Sequence, residues 1–266
     1  MGKKIVFGKF YPSNSIIHKL DPRVKLFAML LYLVELFAFT DLISYIIFSA
    51  FLFATIILSK IPIKTIVGSK AVLFFILFIS SFNLFWIDGH ILMEIGSLTV
   101  TDKGIIKTIF ISIRLLYVII SSSILMLTTT PNQLTDGMIE TLKPLKKLNI
   151  PVHEMAMITS IMLRFIPVLL DEAYRIKDAQ ASRGTNFRTK KLTQKVKNYV
   201  PLFIPLFVSA FRHANELALA MEARGYRGDI GRTQMKPLKY QSIDYFAYSS
   251  LLLILVLLVV VGVFSY

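Results

Sequence analysis

Five stretches of this chain carry almost no charge over a length that matches the hydrocarbon core of a bilayer, and that restricts its fold more than any other feature. They run roughly from Val24 to Thr40, Leu42 to Ser59, Ala71 to Ile87, Ile105 to Thr128 and Tyr245 to Tyr266. The first three are near the short limit of about 17–18 residues, which spans a core about 30 Å thick when the helix is little tilted. A soluble domain of 266 residues would need more than 17 % charged residues to wet its surface. The expected fold class is therefore all-α and polytopic. Cysteine is absent, so neither a disulfide framework nor a thiolate metal site can form. The stretch from Met1 to Leu20 is basic without a following apolar core, unlike a cleavable signal peptide. Val6 stands where a myristoylation signal after Met1-Gly2 needs Ser or Thr.

Orientation follows from the placement of Lys and Arg. Lys3, Lys4, Lys9, Lys19, Arg23 and Lys25 precede or open the first run, and Lys60, Lys64 and Lys70 lie between the second and third. Between the third and fourth, from Asp88 to Gly104, Asp88, Glu94 and Asp102 face Lys103 alone, with Lys107 just inside the fourth run. The N-terminus is thus expected in the cytoplasm, and five spans put the C-terminus outside. The segment from Thr129 to Asp244 is then cytoplasmic as well. It holds 18 of the 30 basic residues and 10 acidic ones, a net charge of +8. Three regions result: a membrane domain over 1–128, a cytoplasmic or interfacial domain of about three long helices over 129–244, and a final span over 245–266.

Met155 to Leu170 and Tyr199 to Phe211 are apolar enough to raise a rival topology. If both crossed, the loop between them would carry eight basic residues outside, from Arg175 and Lys177 through Arg183, Arg188, Lys190 and Lys191 to Lys195 and Lys197. Arg164 would also lie inside a span, at about 2.5 kcal/mol or more without a partner. Both segments are read instead as helices along the inner membrane face, packed against the spans.

Within the insert, Thr130-Pro131-Asn132-Gln133 carries a helix start: a threonine N-cap, a proline in the first turn and a glutamine completing a capping box. Leu134, Met138, Leu142, Leu145 and Leu148 form one apolar stripe that ends at Asn149 to Pro151. A second helix is expected over about 152–183 and a third over about 189–224, the latter kinked by Pro201 and Pro205. These two helices close alike, on Ser182-Arg183-Gly184 and Ala223-Arg224-Gly225. Counting back from each arginine, alanine recurs at the same offsets (Ala179 and Ala220, Ala173 and Ala214), with Ile176 and Leu217 between them. Offsets of three keep these residues near one helix face, where small side chains let two helices cross closely. An Arg-Gly end by itself is ordinary capping. Two matching copies in the only large aqueous segment form a duplicated device, and an arginine fork at an abrupt helix end suits an acidic groove.

With these motifs the sequence resembles the transmembrane coupling protein, or T-component, of energy-coupling-factor (ECF) importers of the ABC class. The resemblance covers essentially the whole chain and includes Arg164-Phe165-Ile166-Pro167 and Glu172. Ser182 stands where the family commonly has alanine, a small-for-small departure. The resemblance implies that Arg183 docks into one ABC-type ATPase subunit and Arg224 into a second. It also implies that the coupling helices carry a membrane-embedded, substrate-binding S-component that releases a vitamin or metal ion inside. ATP and Mg²⁺ would be bound by the ATPases, with no cofactor in this chain.

No catalytic constellation accompanies these motifs. There is no G-x-x-x-x-G-K-[ST] loop, and Gly225 to Arg232 has the wrong glycine spacing with no preceding strand. His153-Glu154 opens like a zincin helix, but Met157 occupies the second histidine position. His18, His90 and His213 are isolated in sequence. Basic residues alternating with membrane-grade apolar stretches speak for lipid rather than nucleic acid. Glu35, eleven residues into the first run, and Arg114, nine into the fourth, reach similar depth and could form an intramembrane ion pair. A stand-alone ion-coupled secondary transporter is the alternative function. That class usually shows repeated halves and broken helices near the midplane, whereas here the repeat lies in the insert.

Overall fold

The computed structural model describes residues 10–66, 70–86, 91–95, 98–148, 151–187, 189, 191–228 and 238–264. In chain order these form α1 (Ile16–Lys19), α2 (Pro22–Ala38), α3 (Leu42–Ser59), α4 (Ile63–Ile66), α5 (Lys70–Trp86), β1 (Ile91–Ile95), β2 (Leu98–Thr101), α6 (Asp102–Thr128), α7 (Pro131–Leu142), a 3₁₀ segment (Lys143–Leu148), α8 (Val152–Ser182), α9 (Leu192–Ala223) and α10 (Ser242–Phe264). The described residues are all-α apart from one short antiparallel hairpin, which pairs Ile95 with Leu98 and Ile91 with Thr101 around an irregularity between Ile91 and Met93. The hairpin lies in the segment between the third and fourth apolar runs. Lys3, Lys4, Lys9, Asp88, His90, Asn149, Arg188, Lys190 and Asp229 to Arg232 lie outside the described residues.

Two compact units divide the chain. One contains the described residues up to Thr141 and those from Leu238 onward; the other runs from Leu142 to Pro237. In the first unit α2, α3, α6 and α10 surround an apolar centre made by Tyr32, Leu36, Phe48, Leu52, Ile120, Ile124, Leu127, Ile254 and Leu258. Tyr32 meets Phe48 edge to face, ring centres 5.5 Å apart, and Tyr45 packs on Phe110 at 5.0 Å. The opposite faces expose Leu30, Val34, Phe53, Ile57, Leu252 and Leu253, as expected of helices whose solvent is lipid. Ser44, Ser59 and Ser80 are fully buried, small side chains that permit close helix approach.

By length and composition four described helices can cross a bilayer: α3, α6, α8 and α10. Three of these coincide with runs read from sequence. The other two runs became α2 and α5, each 17 residues and so at the lower limit. α8 qualifies on composition because its charges gather in its second half, leaving an apolar window at its start.

Local sequence explains the boundaries. Asp21 caps α2 by accepting the Arg23 N–H, with Pro22 in the first turn. The Thr101 hydroxyl accepts the Gly104 N–H at the start of α6, and Asp102 complements the dipole. At Thr130 both arms of the capping box form: Gln133 N–H to Thr130 Oγ1 at 3.3 Å, and Thr130 N–H to Gln133 Oε1 at 3.1 Å. α9 remains one continuous helix through Pro201 and Pro205, as α8 does through Pro167.

Candidate functional site: two matching helix ends

The second unit is built from α8 and α9, and their C-terminal ends are the same structure twice. Arg183 occupies the C-cap of α8 with φ −82° and ψ 8°; Arg224 occupies that of α9 with φ −87° and ψ 9°. The next residue in each case is left-handed, Gly184 at φ +89° and Gly225 at +72°. Gly184 N–H donates to Ala181 O at 3.0 Å and Thr185 N–H to Gln180 O at 3.1 Å. In the second copy Gly225 N–H donates to Glu222 O at 2.9 Å and Tyr226 N–H to Met221 O at 3.0 Å. This pair of bonds defines a Schellman closure, which satisfies carbonyls that would otherwise be left open at the helix end. A Cβ on either glycine would meet nothing within 4 Å. Backbone conformation, not space, is what glycine supplies here.

Arg183, Gly184, Arg224 and Gly225 are all exposed, as are Ser182 and Ala223. Ser182 turns its hydroxyl back to Asp178 O at 3.1 Å, so its departure from alanine adds no outward polar group. Each end therefore presents a guanidinium beyond a helix that stops abruptly, in a form suited to bidentate recognition by carboxylates.

The stripe of small residues is only partly covered. Ala173, Ile176 and Leu217 are half-buried, whereas Ala179, Ala214 and Ala220 are exposed. His213 of α9 faces Glu172 of α8, Nε2 to Oε2 3.8 Å, and packs on the Phe165 ring at 6.2 Å between centres. Its other nitrogen lies 3.5 Å from Glu216 Oε2. Glu172 and His213 each stand eleven residues before their arginine, so the two helices meet at equivalent points of the repeat. At about 1.5 Å per residue each arm beyond that contact is about 16 Å long. His213 looked isolated in sequence; the shared offset was the signal that could have placed it. His18 is likewise held, by Ser15 Oγ at Nδ1 (2.6 Å) and Tyr11 O at Nε2 (2.8 Å).

Glu35 and Arg114 lie in the first unit and, among the described residues, form no ion pair. Arg114 Nε donates to Tyr45 Oη at 3.1 Å, with its guanidinium over Phe37 at 5.5 Å. Glu35 is 4 % exposed, and its Oε1 has no protein partner. Depth along two helices puts residues at one level but does not fix their direction around each axis, and direction decides the contact here.

The apolar helices long enough to cross a bilayer define a polytopic membrane component. Residues 13–237 match the family described as CbiQ, cobalt transport protein. A protein of Clostridium kluyveri is 43 % identical over 250 residues, covering 93 % of each chain. Those of Ruminiclostridium cellulolyticum and Bacillus subtilis are each 40 % identical, over 92 % of both chains and over 97 % and 98 % respectively. All three carry the name energy-coupling factor transporter transmembrane protein EcfT. The chain belongs to this family of transmembrane components of energy-coupling factor transporters.

Proposed function

We propose that the chain is the coupling subunit of an ATP-driven importer, with Arg183 seated on one ABC-type ATPase and Arg224 on a second. The observation that carries this reading is the likeness of the two closures, with the arginine backbone angles agreeing to within about 5°, at the ends of helices that meet at equivalent residues. A paired motor with two like grooves needs two like plugs. Closing of the ATPase pair on ATP and Mg²⁺, both held by the ATPases, would displace the two ends and move α8 and α9 about their contact. An S-component resting on these helices would be tipped by that movement and release its vitamin or related micronutrient inside. Substrate choice then belongs to the S-component.

The positive-inside bias places the N-terminus and both helix ends on the cytoplasmic side of the cell membrane, and favours five spans with α8 and α9 at the inner face. The test is retention of the ATPase pair during purification. The wild-type chain should hold both subunits, and Arg183→Glu with Arg224→Glu should lose most of them through like-charge repulsion. Uptake by the purified chain alone would favour a self-contained transporter and contradict the proposal.

A further inference from the structure

Within the first unit α1, α2, α3, α6 and α10 frame a cavity of about 580 Å³, inside the range of about 300–1,000 Å³ usual for small-ligand sites. α2 and α10 line it with their N-terminal parts, α3 and α6 with their C-terminal parts. The four walls therefore stand at one depth, in the half of the bundle that the N-terminus enters. The lining runs from Val24 to Tyr32 on α2 and from Ser242 to Leu251 on α10, eight and nine steps of about 1.5 Å, or about 12–14 Å. That is close to one leaflet, half of a hydrocarbon core about 30 Å thick. Ile16, Leu58 and Phe246 line the cavity and are also exposed, so it opens toward lipid. The walls are dry. Four hydroxyls line them, but each gives its proton to its own helix: Thr55 to Phe51 O at 2.8 Å, Ser121 to Val118 O at 3.0 Å, Thr128 to Ile124 O at 2.8 Å and Ser250 to Ala247 O at 2.8 Å.

One cation stands at the shallow end. Lys25 lines the cavity and is only 7 % exposed. Its Nζ donates to His18 O at 3.2 Å and Thr128 O at 3.1 Å, which leaves the third N–H of the ammonium open. Among the described residues Lys25 forms no ion pair with a carboxylate. Asp21 and Asp244 act on its charge only from farther off, and both are engaged elsewhere. Asp244 accepts the Asp21 N–H at 2.8 Å and the Gln241 N–H at 2.7 Å, while Asp21 Oδ1 accepts the Arg23 N–H at 2.9 Å and lies 3.3 Å from Arg23 Nε. Arg23 is itself spent, on Leu238 O at 2.7 Å, Glu140 at 3.9 Å and the Tyr240 ring at 4.7 Å. Two carbonyl dipoles do not cancel the charge of a buried ammonium, and burying it without an anion is costly. The missing group is an anion at headgroup depth, beside a dry slot one leaflet long.

We infer that this cavity is a phospholipid site: one acyl chain lies along α2, α3, α6 and α10, and a phosphate oxygen accepts the third N–H of Lys25. The site stands apart from the helix ends proposed to meet the ATPases, and its test does not depend on them. The full chain in maltoside micelles, which contain no phosphate, is photolabelled with phosphatidylglycerol carrying a diazirine at the end of one acyl chain. The label should fall on the lining residues Phe51, Thr55, Ala247 and Ser250 rather than on their exposed neighbours Phe53 and Leu252. Unlabelled phosphatidylglycerol should displace it at a concentration at least about tenfold lower than diacylglycerol of the same chains, because a charge-assisted bond separates the two. Glycerol phosphate, which has no chains, should not displace it. Lys25→Met keeps the stem, loses the charge and should abolish the preference for phosphatidylglycerol. Because Lys25 also ties α1 to α6, Ala247→Phe is the second variant: it fills the cavity, leaves Lys25 in place and should remove most labelling of the lining residues. Equal labelling of Phe53 and Leu252, equal displacement by diacylglycerol, or unchanged labelling in Ala247→Phe overturns the inference. So does a photoreactive residue at position 247 that captures a partner protein instead of lipid in the assembled complex.

Discussion

Gly184 and Gly225 are the residues at which the duplicated ends are most open to attack. Both sit at positive φ with free space around them, so alanine brings conformational cost without a clash. We expect Gly184→Ala and Gly225→Ala each to cost about 1–2 kcal/mol locally and to unwind or redirect the last turn, turning the adjacent arginine away. Hydrogen exchange of the final turn of α8 or α9 measures this: faster exchange confined to the mutated end is the expected result, and unchanged exchange contradicts it. Lys60 offers a comparison in the opposite direction. It is the one described non-glycine residue at positive φ, 55° at the C-cap of α3, and glycine there should stabilise the chain. At this scale the sequence was informative, because Arg-Gly after a periodic helix and Thr-Pro-x-Gln before one are local signals for local bonds. Arg23 was not legible in the same way. Its partners Glu140, Leu238 and Tyr240 lie more than a hundred residues away, and no local pattern encodes a contact made only after the chain has left one compact unit and returned.

The helices divide according to how one-sided their environment is. α3, α6 and α10 are read directly from sequence because lipid imposes both their length and their composition. α8 is ambiguous by composition: its first half is apolar enough to span yet carries Arg164, and Asp171, Glu172, Arg175, Lys177 and Asp178 gather in its second half, so composition and charge bias give different answers. The β1–β2 hairpin had a modest signal in the β-branched run Thr99-Val100-Thr101. At the α8–α9 contact, Glu172 and His213 are each about a third exposed, so the pair serves register more than stability. A double-mutant cycle with Glu172→Gln and His213→Ala should return a coupling energy below about 1 kcal/mol that shrinks with salt. A coupling of several kcal/mol would mean that the contact is held by this pair rather than by packing of Phe165 and its neighbours.

For the whole molecule, the net charge of +14 and its concentration in one long segment make orientation a prediction of sequence alone. The cysteine-free chain allows it to be measured. A single Lys103→Cys should react with an impermeant maleimide in intact cells, whereas Lys19→Cys and Arg183→Cys should react only after permeabilisation. The reverse pattern would invert the topology and remove both helix ends from the cytoplasm. Family membership fixes the chain as the transmembrane component of an energy-coupling factor transporter; the division of labour between two ATPases and two arginines is the part we propose. Site-specific photo-crosslinking from positions 183 and 224 in the assembled, transporting complex tests it most directly. The account predicts a crosslink from each position to an ATPase subunit, the two positions reporting separate subunits. Crosslinks to lipid only, or none while transport continues, would contradict it.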